Sequence, residues 1–243
     1  MSYAPDHEIY RDRDVFAIDA IASERAAFIR RTYAHLFAAV CAFACLAGFF
    51  LNTPAIANPM FNLLASGQWF WIIIGFMAVS WIASWMAASG ASPSVQYAGL
   101  ILYTVAEAVF FVPLLMIAQR FAGGGSEIIL QAGAITLIIF GGLTAVVMFS
   151  GADFSFLRTA LWVGMFATLG LIVVAAFTGL NLGLWFVVGV IVLMAGYILY
   201  DTSNVLHHYR TDQHVAAALA LFASLATLFW YVLRLVMILN SRD

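Results

Sequence analysis

Lysine is absent from this chain, and charge of either sign is scarce. Of its 243 residues, 9% are charged and 65% are hydrophobic, with a net charge of −2. A water-soluble domain carries about 25% charged residues and still exposes part of its chain when folded, so water is excluded as the solvent for most of this sequence. A nucleic-acid partner is excluded as well, because it requires a clustered basic face. Cysteine is nearly missing: Cys41 and Cys45 lie four apart, share a helix face, and are too few for a disulfide framework. They read as packing residues. No GxSxG, HExxH or Walker loop motif occurs, and the glycines at 123–125 read as a turn, so the chain is expected not to be an enzyme. No resident metal or cofactor is implied. His207, His208, Asp212 and His214 match no closed zinc spacing and have no cysteine nearby, so they read as a solvated loop. The first 31 residues, with "DHEIYRDRD" at 6–14, lack the apolar core of a cleavable signal peptide. The first apolar segment is therefore expected to stay in the membrane.

What the sequence does have is long apolar runs. A spanning helix needs about 20 mostly apolar residues, and seven runs qualify: Tyr33–Leu51, Trp69–Ala88, Val95–Ile117, Ile128–Phe149, Leu157–Phe177, Asn181–Tyr200 and Val215–Leu239. The breaks between them, such as "NTPAIANP" at 52–59 and "SGADFS" at 150–155, carry helix-stopping proline and glycine. The prediction is an all-α integral membrane protein of seven transmembrane helices, residues 32–243, preceded by a polar arm, residues 1–31. Its first partner is the lipid bilayer. Every cation is an arginine. Arg11, Arg13, Arg25, Arg30 and Arg31 precede the first span, and Arg158 and Arg210 fall on the same side of the membrane. Only Arg120 and Arg242 fall opposite. The positive-inside rule then puts the N-terminus in the cytoplasm and the C-terminus outside. Small residues within the runs (Ala44, Gly48, Gly133, Gly141, Gly142, Gly164, Gly189, Gly196) read as helix-packing positions. Trp69, Trp71, Trp185, Trp230 and Tyr231 sit near run ends, where aromatic belts form.

Ionisable groups inside such runs are costly, and by default they mark function. Glu107 is about twelve residues into the third run, ~18 Å deep. Pro113, six residues on, frees the carbonyl of Val109. Glu107 reads either as a proton or cation stepping stone or as a packing hydrogen bond. Asp201 closes the sixth run at a helix C-terminus, where the macrodipole disfavours an anion. That mismatch favours function over an ordinary interfacial carboxylate. Arg234 reads as a side chain snorkelling outward. Asp153 or Ser155 suits the N-cap of the fifth span. Ser224 and Thr227, three apart in the last run, share a face at ~14 and ~18 Å depth. Together Asp201, Ser224, Thr227 and Glu107 are expected to line one polar track, with Asn204 and Asp153 as possible support.

Several stretches together resemble the Bax inhibitor-1 family: "RRTYAHLF" at 30–37, "SGADFSFLRTALWVGM" at 150–165, "ILYDTSNVLH" at 198–207 and the C-terminal "ALALFASLATLFWYVLRLVMILNSRD". The likeness runs from about residue 24 to the end and is nearest the bacterial YccA-like branch. It implies six helices around a central seventh. For some members it also implies a pH-dependent calcium leak, in which an Asp closing the sixth helix pairs with an Asp in the seventh. Asp201 matches the first. The second position is Ser224, the Asn usual three residues later is Thr227, and the Arg expected in the second helix is missing. The two-carboxylate sensor is thus incomplete, and any calcium bound would be transient, since calcium favours several oxygen ligands. The branch also implies restraint of an FtsH-type membrane AAA protease through the N-terminal arm. A bacterial copy would sit in the inner (plasma) membrane.

Overall fold

The computed structural model describes residues 16–90, 92–121 and 126–241. The first fifteen residues of the polar arm, the glycines at 123–125, Arg242 and the side chain of Trp69 lie outside the described residues. Eight helices account for nearly all the rest: α1 (Ala22–Leu51), α2 (Pro54–Ala65), α3 (Trp69–Ala88), α4 (Pro93–Arg120), α5 (Glu127–Ser150), α6 (Leu157–Thr178), α7 (Leu184–His207) and α8 (His214–Asn240). All but α2 are long and apolar enough to cross a membrane. Among the described residues no strand forms.

The helix ends follow from local chemistry. Pro54 and Pro93 open α2 and α4, where a fixed φ and a missing N–H cost nothing. Gly151 and Gly179, at φ 61° and 69°, end α5 and α6 in the left-handed conformation that favours glycine. Apart from shifts of a few residues, three boundaries depart from the sequence reading, and the first is the start of α1, at Ala22 rather than Tyr33. The stretch 52–59, read as a break, contains the start of α2, because Pro54 initiates a helix rather than stopping one. α7 does not end at Tyr200 but continues through Asp201 and Asn204 to His207.

α8 is shared by most of the other helices. It packs on α1, α3, α4, α5 and α7 and is buried along its length from Val215 to Met237. α6 packs on α7 and buries only Leu161. Lipid is as apolar as a protein core, so these contacts rest on close packing rather than on exclusion of water. Backbones meet at Gly99 of α4, where a Cβ would stand 2.6 Å from the Ala83 carbonyl oxygen and 2.7 Å from the Ala87 nitrogen of α3. Gly164 and Gly196 also meet neighbours, Leu193 and Leu161. Gly48, Gly133, Gly141, Gly142 and Gly189 have open space where a Cβ would be, so the packing role expected of them is not needed there. Trp71 and Trp185 face outward as belt residues do. Trp230 instead stacks on Phe110 with ring centres 4.9 Å apart, and Tyr231 is buried.

Candidate functional site

The extension of α7 decides where Asp201 lies. Six further helical residues follow it, so it sits ~9 Å inside the helix end rather than at the terminus. The macrodipole argument for Asp201 therefore falls away. The same extension carries it to α8, where the Ser224 hydroxyl donates to Asp201 Oδ2 at 2.5 Å. One residue on, Thr202 is fully buried and faces Tyr33 of α1, which also neighbours Thr144 of α5. All three hydroxyls are buried, and Tyr33 stands close enough to both threonines to interact with them, although no contact among the three reaches full hydrogen-bond geometry.

Glu107 forms a second, separate pair. It is 3% exposed and accepts a hydrogen bond from the Tyr103 hydroxyl at 3.0 Å, one turn back on α4. Aromatic rings surround this turn. Tyr103 meets the edge of Phe222 at 5.9 Å, Phe110 stacks on Phe76 at 4.4 Å, and Phe111 lies parallel to Phe229 at 5.6 Å. No hydrogen bond joins Glu107 to Asp201 among the described residues. Thr227 donates to the Ala223 carbonyl of its own helix at 2.9 Å. Of the four track residues, the structure joins Asp201 and Ser224 by a hydrogen bond, while Glu107 pairs with Tyr103 and Thr227 bonds its own helix. Tyr103 went unremarked in the sequence, although its spacing of four before Glu107 is a readable signal. Arg234 reaches to 3.5 Å from the Leu182 carbonyl, at the end of the bundle away from Asp201.

Asp153 and Asn204 organise the end of the bundle near Asp201. Neither Asp153 nor Ser155 caps α6, whose N-cap is Phe156 with no side-chain bond. Asp153 Oδ1 instead accepts from the Ser155 backbone N–H at 2.8 Å and the Ser203 hydroxyl at 3.2 Å, and Ser203 Oγ accepts from the Phe154 N–H. The backbone bond from Ser155, first among several, holds the Asp153 carboxyl below its ordinary range. The carbonyl of Asn204 accepts from the N–H groups of His208 and Tyr209, which closes α7. In the loop that follows, Arg210 makes a two-pronged pair with Asp212 at 3.2 and 2.9 Å.

The N-terminal segment is stitched to this loop. The Ala17 N–H donates to the Tyr209 carbonyl at 2.9 Å, and Phe16 and Arg210 form an antiparallel bridge. Burial, reinforced by the nearby Asp201 and Tyr200, pushes the Tyr209 phenol above its ordinary value. The loop histidines fall into two groups, with the His207 and His208 ring centres 6.1 Å apart. His207 bonds the Ser203 carbonyl, while His214 packs on His35 with ring centres 5.1 Å apart. Among the described residues no three His, Cys, Asp or Glu side chains converge as metal ligands. Asp201 and Ser224 supply part of an oxygen shell, short of the six to eight ligands that calcium prefers.

Residues 25–242 match the family described as "Inhibitor of apoptosis-promoting Bax1". Among curated relatives, the chain is 28% identical over 232 residues to "Bax inhibitor 1" of Schizosaccharomyces pombe, covering 91% of this chain and 80% of that protein. It is 30% identical over 231 residues to an uncharacterised protein of Campylobacter jejuni, covering 90% and 92%. It is 28% identical over 179 residues to an uncharacterised protein of Pseudomonas aeruginosa, covering 72% and 76%. With a family match over nearly its whole length and seven helices able to cross a membrane, the chain belongs to the Bax inhibitor-1 family of multi-pass membrane proteins.

Proposed function

We propose that this protein is a proton-sensitive cation leak of the inner membrane, with its N-terminus in the cytoplasm and Asp201 as the sensing group. The Ser224–Asp201 hydrogen bond carries this reading, because it links the protonation state of one carboxyl to the contact between α7 and α8. A carboxylate can only accept, so Ser224 donates; a protonated carboxyl can itself donate, and the bond between the two helices is then redrawn. The buried hydroxyls of Thr202, Tyr33 and Thr144 extend a polar seam from Asp201 toward α1 and α5. Calcium is the transient cargo implied by the family resemblance. A single carboxylate binds it less firmly than a pair would.

The test is flux into liposomes loaded with a calcium dye. Wild type conducts in a manner that changes between pH 6 and pH 8, and Asp201→Asn abolishes that change. Ser224→Asp, which places a second carboxyl beside Asp201, raises both calcium affinity and flux. No flux, or a pH response that survives Asp201→Asn, would refute the channel.

A second reading is favoured by the Ala17–Tyr209 stitch, which connects the N-terminal arm to the loop beside Asp201. In it the protein conducts nothing and restrains an FtsH-type membrane AAA protease through that arm. Deleting residues 1–15 spares the stitch and removes the handle. Co-purification with the protease that survives this deletion excludes the arm as the contact.

A further inference from the structure

Between the start of α6 and the end of α7 lies a cleft of about 320 Å³, lined by Ser155, Arg158, Tyr200, Asn204, His208, Tyr209 and Gln213. Every lining side chain carries a polar group, and none is a carboxylate. Arg158 is exposed and has no acidic or hydrogen-bonding partner among the described residues. The carboxylates nearby are engaged elsewhere: Asp153 by Ser155 and Ser203, Asp212 by Arg210, and Asp201 by Ser224. The Gln213 carboxamide oxygen is taken by the Arg210 N–H, which leaves its NH₂ to donate.

An apolar ridge runs away from this cleft. Residues 158, 162 and 166 recur every four positions on α6 and so share a face. Trp162 and Phe166 stack with ring centres 5.8 Å apart and are 54% and 65% exposed. At the mouth, Phe156 is 73% exposed. The order is therefore cation and donors at the membrane edge, then aromatic surface going into the hydrocarbon. Basic pockets between transmembrane helices take anionic lipid head groups.

We propose that this cleft seats the phosphate of an anionic phospholipid, held by Arg158 and the surrounding donors, with the acyl chains lying along the Trp162–Phe166 ridge. A soluble phosphate ester would satisfy the cleft but leave the ridge uncovered, which is why the geometry favours the lipid. This site is separate from the Asp201–Ser224 pair and stands whether or not the protein conducts ions.

The test counts lipids retained by the purified full-length chain in mild detergent, using native mass spectrometry. Phosphatidylglycerol, phosphatidylcholine and glycerol phosphate are the three probes. Phosphatidylglycerol is retained about fivefold more strongly than phosphatidylcholine, the effect of one arginine near an anionic surface. Arg158→Gln removes that preference, Arg158→Lys keeps most of it, and Arg120→Gln at the opposite end leaves it unchanged. Glycerol phosphate does not displace the bound lipid. Equal retention of the two lipids by wild type would overturn the proposal, as would a preference that persists in Arg158→Gln. Displacement by glycerol phosphate at equal concentration would show a free-phosphate site instead. Should Arg158→Gln fail to fold, the wild-type comparison and Arg158→Lys decide.

Discussion

Two pairs in this bundle have the same chemistry, a hydroxyl donating to a carboxyl, and opposite structural roles. Tyr103 and Glu107 are one turn apart on α4, so their bond belongs to a single helix and asks nothing of its neighbours. Ser224 and Asp201 are on different helices, so their bond exists only while α7 and α8 are in register. The first satisfies a buried group. The second also reports on the arrangement of the fold. Where a polar pair sits relative to the helix boundaries, rather than how deep it is, decides whether it ties one helix to itself or two helices to each other.

That contrast can be tested by removing one partner at a time. The largest effect is expected from Tyr103→Phe, which leaves Glu107 buried among aromatic rings with no donor. Unfolding in detergent should show a loss of about 1–3 kcal/mol, most of it recovered by adding Glu107→Leu. A harmless Tyr103→Phe would mean that Glu107 is satisfied in another way. Next comes a double-mutant cycle with Asp201→Ala and Ser224→Ala. Inter-helix hydrogen bonds in membranes couple by about 0.6–1.7 kcal/mol, and a value near zero would reduce the pair to mere proximity. The smallest effect is expected at the exposed counterpart, Asp153 with Ser155 and Ser203. The folded protein holds this carboxyl below its ordinary range. Its contribution is therefore present above the unfolded value near pH 4 and is lost as acid titrates the folded group. Asp153→Asn should be slightly less stable than wild type at pH 7, and the difference should close as acid titrates the folded carboxyl. A penalty that stays constant with pH would assign the role to shape rather than charge.

The seven spans were legible because hydrocarbon thickness imposes a length that few other constraints imitate. The end of α7 was not, because Asp201 and Asn204 interrupt the apolar run while their backbones stay helical. α2 was hidden by Pro54 and Pro59, residues that stop helices in most contexts. Hydropathy alone also gave no hint of which helix is central: α6 and α8 are comparably apolar, yet one faces outward and the other is enclosed. In lipid both situations satisfy an apolar side chain. The Asp201–Ser224 contact was anticipated only through the family resemblance, since depth counted from the run ends set the two residues apart. Where the Thr227 hydroxyl donates was not legible either. A helical threonine can bond the carbonyl four residues back, and no sequence pattern reveals when it does.

The meeting of α3 and α4 at Gly99 has a mechanical consequence. Two backbones in direct contact have no layer of side chains to deform between them. If either helix slid by a single residue, Leu100 or Ala98 would be driven against the Ala83 carbonyl. These two segments therefore resist sliding past each other at this crossing.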